Sequence, residues 1–508
     1  MRIPRIGGTR IAGMPRDWTD AMTNPPAPPL VVDLDGTLLA GDMLFETANE
    51  YVSGAPWRAL VLAARLPPGR ARTKEFLAER TAPDVAMLPY NEEVLRFVRE
   101  QRATGRRIVL ATATNQVIAD RIAAHLGLFD EVLGSTAADN LKGLAKAQLL
   151  VRTFGEGGFD YVGDSAADLA VWRVAAGAVV VSSRPGFVEQ VRRTTTVEAV
   201  IPKPRRRPVR ALAGALRPHQ WTKNLLVFIP LLASHRFDVP LDLARAGLAF
   251  ALFSLVASAV YVLNDLMDVS QDRHHSRKRR RPFASGALPL WAGWMLWPAL
   301  LAVAAVGAAL LLPPAFLLAL AGYFALTLGY SLVLKRRAMW DVLALAVLYL
   351  ARLIAGAVAI GVEVSFWLLC FAMFFFLSLA LVKRYNELRE DRTLPASPDG
   401  PTKIRGRGYF ATDLPLVESM GPAAGYVSAL IVALYVYDDS TASMYATPQF
   451  LWITVPLLLF WISRVWLIAH RGEMHDDPVV FAIRDRTSYL VGALVVLGVV
   501  LATFVTVS

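Results

Sequence analysis

Cysteine is nearly missing from this sequence. Cys370 is the only one in 508 residues. It lies within an apolar run, which excludes an internal disulfide and any cysteine-based metal cluster. The N-terminus lacks an apolar h-region, so no cleavable signal peptide is expected. Acidic residues are the scarcer charge: 42 Asp and Glu against 53 Lys and Arg leave a formal net charge of +11. That balance could mark a nucleic-acid binder. The basic residues cluster beside apolar segments, however, so anionic lipid and phosphorylated substrates are the expected partners, and nucleic acid is not.

What is present divides sharply. Residues 1 to about 205 have the composition of an ordinary soluble protein, whereas the chain as a whole is 55% hydrophobic. From about residue 224 onward, long apolar runs alternate with short polar loops. A membrane-spanning helix needs roughly 20 mostly apolar residues. Nine spans are expected on that basis: 222–235, 243–263, 288–311, 313–334, 340–361, 364–382, 419–437, 449–469 and 489–507. The loops after the second, fourth, sixth and eighth hold 19 Lys and Arg, including Arg277–Arg281 and Lys335–Arg337. The other loops hold only Arg236, with Arg245 just inside the second span. The positive-inside rule makes the basic loops cytoplasmic. Nine spans in an inner or plasma membrane then put the N-terminal domain in the cytoplasm and the C-terminus outside. Residues 1–29 are expected to be a disordered tail, and 193–216 a basic linker lying on anionic headgroups. Trp291, Trp294 and Trp297 read as interfacial aromatics.

Between the tail and the linker, over 30–192, strand-like runs alternate with amphipathic helical patterns. Leu30-Val31-Val32 precedes Asp33, Arg107–Leu110 precedes Thr112, and Tyr161-Val162 precedes Gly163-Asp164. This predicts a Rossmann-like α/β domain with a parallel sheet, interrupted over about 43–95 by a small helical cap. Asp33 and Asp35 stand two residues apart at a strand end. One carboxylate there can attack phosphorus while the other protonates the leaving oxygen. The Thr112 hydroxyl can hold a phosphoryl oxygen, and Lys142 or Lys146 can neutralise developing charge. Asp164 and Asp168 supply the hard oxygen ligands that Mg²⁺ prefers.

In this order, over residues 28–190, these four motifs resemble the haloacid-dehalogenase-like hydrolase superfamily, and most closely its branch with a small cap, as in phosphoserine phosphatase. The resemblance implies that Asp33 is a nucleophile forming an aspartyl-phosphate and that Asp35 is the general acid/base. Mg²⁺ would be held by Asp33, Asp35 and Asp164, with Asp168 in support. Lys146 fits the family spacing better than Lys142. Asp42 falls where a substrate-contacting Glu is expected. The bland alternative is a degenerate domain kept for folding or docking.

The second span ends in Asn264-Asp265-Leu-Met-Asp268-Val-Ser-Gln-Asp272. Spacings of three and four put three carboxylates on one helix face, where a divalent metal relieves their repulsion and recruits pyrophosphate. Acidic groups at the end of a membrane helix are costly, so a functional role is the default reading. Arg273, His275, Lys278 and Arg281 follow and suit phosphate oxygens, although some of that basic run is topogenic. Over 217–508 this pattern resembles the UbiA superfamily of intramembrane prenyltransferases, an all-α nine-helix bundle. The resemblance implies a second Asp-rich motif after the fourth span. There Tyr330 and Lys335 are followed by Asp341 and Arg352, with Leu345 and Tyr349 where further Asp would stand.

The missing second cluster, Arg217–Asn224, the Asp272–Pro282 run and Lys383–Leu388 together resemble the decaprenyl-phosphate phosphoribosyltransferase branch. That resemblance implies one Mg²⁺-pyrophosphate site, phosphoribosyl pyrophosphate as donor and polyprenyl phosphate as nucleophile. Asp265 and Asp268 would be catalytic and, with Asp272, metal-binding. Lys223, Asn264, Arg273, His275, Lys278, Arg281, Tyr330, Lys335, Asp341, Arg352 and Lys383 would bind substrate. The soluble domain would then remove the 5-phosphate of the lipid product. The rival readings are a conventional prenyltransferase using a prenyl diphosphate beside an independent phosphatase, and a scaffold with two decayed domains. Two features of the last basic loop stay open: Asp476-Asp477-Pro478, and Asp485 with Arg464 inside the eighth span. An oligomer is compatible with the sequence.

Overall fold

The computed structural model describes residues 27–55, 57–65, 70–136, 139–203, 207–391, 407–438, 445–474 and 477–506. Most of the expected tail, Arg205, Arg206 and Asp476 lie outside the described residues. The chain forms two compact units. One joins the residues up to Ala215 with Asp265–Trp294, and the other comprises Leu216–Asn264 and everything from Met295 on. By sequence the Asp-rich segment falls in the expected 217–508 domain, yet in space it groups with the first unit. The Asp-rich segment packs with the soluble unit, because apolar and polar cap side chains far away in sequence cover it.

The first unit is built on six parallel strands: β1 Leu30–Val32, β2 Ile108–Asn115, β3 Glu131–Ser135, β4 Asp160–Gly163, β5 Gly177–Val181 and β6 Thr196–Ile201. Their spatial order is β3-β2-β1-β4-β5-β6. Each strand pairs in parallel with its neighbours. β1 is apolar on both faces, as a strand covered by helices on both sides must be. Leu30 and Val32 join one core with Ile108, Leu110 and Val162, while Val31 joins the other with Val109, Tyr161 and Val180. The order of the strands reverses at β1 and β4, so their carboxyl ends flank the crevice where open α/β sheets bind ligands. Helix starts follow local chemistry. Asn91 and Asn115 cap Glu92–Ala103 and Gln116–Leu126 with side-chain acceptors, as N-cap residues do.

The expected linker 193–216 is corrected in part. β6 extends the sheet through Ile201, and Pro208–Leu216 is a helix. The alternation of Thr196–Ile201, half-covered as an edge strand is, was obscured by the arginines on either side of it. The cap consists of helices Met43–Gly54, Arg58–Arg65 and Arg70–Ala78 and a 3-10 turn at Val85–Met87.

In the second unit and its continuations, eight helices among the described residues are long and apolar enough to cross a membrane. They lie within Pro240–Met267, Leu290–Leu311, Pro314–Arg336, Trp340–Ile360, Phe366–Arg389, Ala411–Tyr437, Pro448–Arg471 and Arg486–Phe504. Pro240–Met267 and Trp340–Ile360 are the most buried of these. Leu310, Leu318 and Phe504 are among the large side chains left exposed, as lipid contact requires.

The expected first span is corrected. Residues Pro218–Phe228 form a 3-10 helix, followed by a five-residue α-helix at Ile229–Ala233. Pro230 lacks the amide that a continuous α-helix would use there. Val227 lies so close to helix Trp340–Ile360 that a Cβ on Gly356 would fall 2.0 Å from its carbonyl oxygen. Arg464 forms a bidentate pair with Asp485, at 2.7 and 2.9 Å, so it does not face lipid unpaired.

Candidate functional sites

In the first unit the strand ends converge as the motifs require. Asp33 follows β1 and is 7% exposed. Lys146 donates to its Oδ1 at 2.6 Å, and Thr37 donates to its Oδ2 at 3.3 Å. Thr37 also reaches Asp164 Oδ1 at 3.4 Å. Asp35 Oδ1 accepts from the Met43 amide at 2.8 Å, and its Oδ2 accepts from Thr114 Oγ1 at 2.9 Å. Gly36 turns the chain at φ +78°, where a Cβ would sit 2.6 Å from Asp164 Oδ2, so only glycine fits without strain.

Asp168 organises the far side of this crevice. Its Oδ2 accepts from the Ser165 amide at 3.0 Å and from the Ser165 hydroxyl at 2.8 Å, and its Oδ1 accepts from Tyr161 at 2.9 Å. Tyr161 in turn accepts from Lys146 at 3.0 Å. Lys203, from the segment after β6, pairs with Asp164.

Ligand atoms of Asp33, Asp164 and Asp168 lie within 4.8 Å of one another. Burial pushes Asp33 up to about 7 against the pull of Lys146, and burial together with Asp42 raises Asp35 to about 6. Burial also raises Asp164, with Lys203 opposing. For Lys146 burial works downward, but Asp33 and Asp168 outweigh it and the amine rises. Crowded, desolvated carboxylates with hard oxygens are the donor set that a divalent cation relieves, so the residues fit a metal.

Two sequence expectations are placed differently by the structure. Lys142 is exposed, whereas Lys146 reaches Asp33. Thr112 is fully buried, with its hydroxyl accepting from the Thr114 amide at 3.0 Å. Thr114 was missed; its position two residues further along the same strand face was the available signal. Asp42 N-caps helix Met43–Gly54 by accepting from the Leu44 amide at 2.8 Å.

The Asp-rich segment belongs to the same unit. Its helix breaks at Asp268, and a new one runs over Val269–His274, so the three carboxylates do not share one continuous helix face. Arg281 nevertheless joins two of them, at 3.1 Å from Asp265 and 2.7 Å from Asp272. Burial raises Asp272, with Arg281 opposing. Asp268 is half-buried. Arg273 is not turned toward this group but pairs with Glu46, which corrects its expected role at phosphate. His275 and Lys278 are exposed, and His275 Nδ1 accepts from the Arg277 and Lys278 amides at 3.2 and 3.4 Å.

The second unit holds a cavity of about 350 Å³. Arg217, Lys223, Arg352 and Lys383 line it, together with Asp477, Asn264, Tyr261, Tyr323, Tyr330 and Tyr349. Asp477 takes Lys223 at 2.8 Å and Lys383 at 3.5 Å. The lysines hold its carboxyl below the usual range even though burial works the other way. Arg352 donates to Asn224 Oδ1 at 2.9 Å and to Tyr323 at 3.3 Å. Lys335 does not line this cavity. Asp341 is fully buried, 2.6 Å from Arg384 and 2.7 Å from the Tyr409 hydroxyl. It is thus a structural ion pair rather than the substrate ligand expected. Asp477 was singled out in sequence without a role, and its pairing with two lysines from distant segments supplies one.

Comparison with known proteins finds two families in sequence, with the Asp-rich segment inside the second. Residues 225–489 match the UbiA prenyltransferase family, and residues 30–173 match the haloacid dehalogenase-like hydrolases. An uncharacterized protein of Sinorhizobium fredii is 38% identical over 475 residues, 93% of this chain and 91% of its own length. A decaprenyl-phosphate phosphoribosyltransferase of Mycobacterium tuberculosis is 32% identical over 314 residues, covering 59% of this chain and 99% of its own. Among solved structures, a UbiA homolog from Archaeoglobus fulgidus bound to DMAPP and Mg²⁺ aligns at 18% identity with a TM-score of 0.42. That alignment covers 57% of this chain and 99% of the homolog.

Proposed function

This chain belongs to the UbiA prenyltransferase family, with a haloacid dehalogenase-like hydrolase domain ahead of that part, and on that premise we propose a two-step function. The membrane part transfers 5-phosphoribosyl from phosphoribosyl pyrophosphate to a polyprenyl phosphate. The hydrolase domain then removes the 5-phosphate from the lipid product. The observation that carries this reading is the cavity, lined by four cations, four tyrosines and one carboxylate, Asp477. Cations suit phosphate oxygens, and phenols suit sugar hydroxyls. The sequence similarity to a decaprenyl-phosphate phosphoribosyltransferase supports it.

In the first step the bond from ribose C1 to pyrophosphate breaks, and its electron pair leaves on the pyrophosphate. An oxygen of the lipid phosphate forms the new bond to C1. Lys223 and Lys383 hold phosphate oxygens, and Arg352 fixes the cavity wall. Asp265, Asp268 and Asp272 would hold Mg²⁺, which when bound would neutralise charge on a pyrophosphate. Arg281 adds a cation beside Asp265 and Asp272.

In the second step an Asp33 oxygen attacks phosphorus, and the bond to the sugar oxygen breaks as Asp35 protonates it. Water then attacks the aspartyl-phosphate and gives its proton to Asp35. Lys146 balances the charge on Asp33, and Asp33, Asp164 and Asp168 would hold the Mg²⁺ of this domain.

Sidedness belongs to the same proposal. Eleven residues of 3-10 helix and five of α-helix over Pro218–Ala233 extend roughly 30 Å, about the thickness of the hydrocarbon core. This segment can therefore cross in place of the expected first span, keeping the hydrolase domain on the side of the basic loops.

The test uses purified full-length protein in nanodiscs with labelled phosphoribosyl pyrophosphate and decaprenyl phosphate. Label should enter the organic phase. Asp268→Ala should reduce that by about 100-fold or more, a loss typical of removing charge stabilisation from a transition state. Label that stays aqueous, while a prenyl diphosphate and an aromatic acceptor give a prenylated product, would replace this reading with conventional prenyl transfer.

A further inference from the structure

Helix Met43–Gly54 belongs to the hydrolase cap, yet two of its polar side chains, Glu46 and Asn49, are committed to the Asp-rich segment and the helix after it. Arg273 donates through Nη1 to Glu46 Oε2 at 2.9 Å and through Nη2 to Glu46 Oε1 at 2.8 Å. Both side chains are only 9% exposed. A buried bidentate fork fixes direction as well as distance, which an ammonium could not do. Arg273 Nε also donates to the Ala284 carbonyl at 3.1 Å, which ties the loop to itself. One turn along the cap helix, Asn49 donates to the Leu266 carbonyl at 2.8 Å and accepts from Trp294 Nε1 at 3.0 Å. Trp294 is thereby a cap contact rather than only an interfacial aromatic. Met267 and Trp294 pack on the cap cluster of Tyr51, Val52 and Leu77.

The two ends of this contact are chemically loaded. Three residues before Glu46, the Met43 amide holds Asp35 at 2.8 Å. Arg273 directly follows Asp272, which Arg281 joins to Asp265. A short run of bonds therefore connects the acid/base carboxylate of one reaction with the carboxylate cluster of the other. We propose that Glu46, Asn49 and Arg273 form a clasp in which the state of the Asp-rich site sets the position of the cap. They are positioning residues for hydrolysis. The coupling rests on the reading above that Mg²⁺ and pyrophosphate bind at Asp265, Asp268 and Asp272.

Hydrogen exchange on the full chain in nanodiscs tests this, with Mg²⁺ and inorganic pyrophosphate as the probe. Without ligand, Arg273→Ala should speed amide exchange across 43–54 by about tenfold or more, because breaking one partner of a buried pair leaves a stranded charge. Helix Leu144–Phe154 should be unaffected. Exchanging the charges, Glu46→Arg with Arg273→Glu, should restore most of the protection. Arg273→Lys keeps the charge but loses the fork. It should give an intermediate rate and covers the case of an alanine variant that does not fold.

With ligand, the native protein should slow exchange over 265–281 and 43–54 together, and Arg273→Ala should slow only 265–281. A cap exchanging at the native rate in both Arg273 variants overturns the clasp. Ligand protection of the cap that persists in Arg273→Ala overturns the coupling, since pyrophosphate would then act through the hydrolase pocket. Native protein that shows no protection over 265–281 removes the pyrophosphate reading and the coupling with it, and the clasp is judged by the ligand-free rates.

Discussion

At Asp33 the fold sets burial against pairing. The carboxyl is desolvated enough to be pushed to about 7, and Lys146 is the group that opposes this. Lys146→Met should therefore abolish phosphate release from a small phosphate ester. It should also lower the unfolding temperature of the first unit, since stranding one charge of a buried pair costs about 3–5 kcal/mol. Differential scanning calorimetry beside the assay checks both. Lys203 sits on Asp164 from outside the family motif, so it competes with any cation there. Lys203→Ala should tighten Mn²⁺ binding several-fold in a calorimetric titration, whereas unchanged or weaker binding would refute the competition.

Asp33, Asp35 and Asp164 stand out in the sequence because order and spacing carry them, whereas the sequence leaves Lys142 beside Lys146. Thr114 shares a strand face with Thr112, and spacing alone does not reveal which of the two hydroxyls reaches Asp35. Arg273 and Asp341 looked like substrate ligands because the carboxylate and guanidinium that pair with them, Glu46 and Arg384, are remote in sequence.

Helices and strands were legible where their pattern was long. The long apolar runs from 243 onward became helices, and the runs before Asp33, Thr112 and Asp164 became strands. Short elements were harder to read. β6 is only Thr196–Ile201 between arginine clusters, and the first expected span turned into 3-10 helix at Pro218–Phe228.

The close approach of that segment to Gly356 gives a prediction. A Cβ would meet the Val227 carbonyl at 2.0 Å, so Gly356→Val should cost roughly 1–3 kcal/mol through overpacking. It should also lower the thermal aggregation temperature in detergent. Helix Pro478–Arg484 offers a second. Its cap, Asp477, is held below the usual carboxylate range by Lys223 and Lys383 against its burial. A depressed carboxylate contributes stability above its unfolded value, near 4, and loses it as pH falls through the folded value. Exchange of the amides in 478–484 should thus be flat from pH 7 to 5, after correction for intrinsic rates, and accelerate below about 4. Acceleration beginning near pH 6 would show that the lysines do not hold it.

For the whole molecule, sidedness is the first thing to measure. In a Cys370→Ser background, Leu144→Cys reports the first unit, where Leu144 is 71% exposed. Val505→Cys reports the other end of the chain. An impermeant maleimide applied to intact cells should label Val505→Cys and should reach Leu144→Cys only after lysis. Labelling of both in intact cells would defeat the crossing assigned to Pro218–Ala233.

The cap's contact with Leu266, Met267 and Trp294 also bears on how such a gene can be taken apart. The Mycobacterium tuberculosis relative aligns over 99% of its length to 59% of this chain, so a transferase of that size exists without the hydrolase. The reverse cut should not yield a stable module. A fragment ending at Ala215 would leave the apolar face of its cap without Met267 and Trp294, and Glu46 without a counter-ion. The fusion is lopsided: one partner is a freestanding enzyme in other lineages, while the other has its last structural residues stored inside its neighbour.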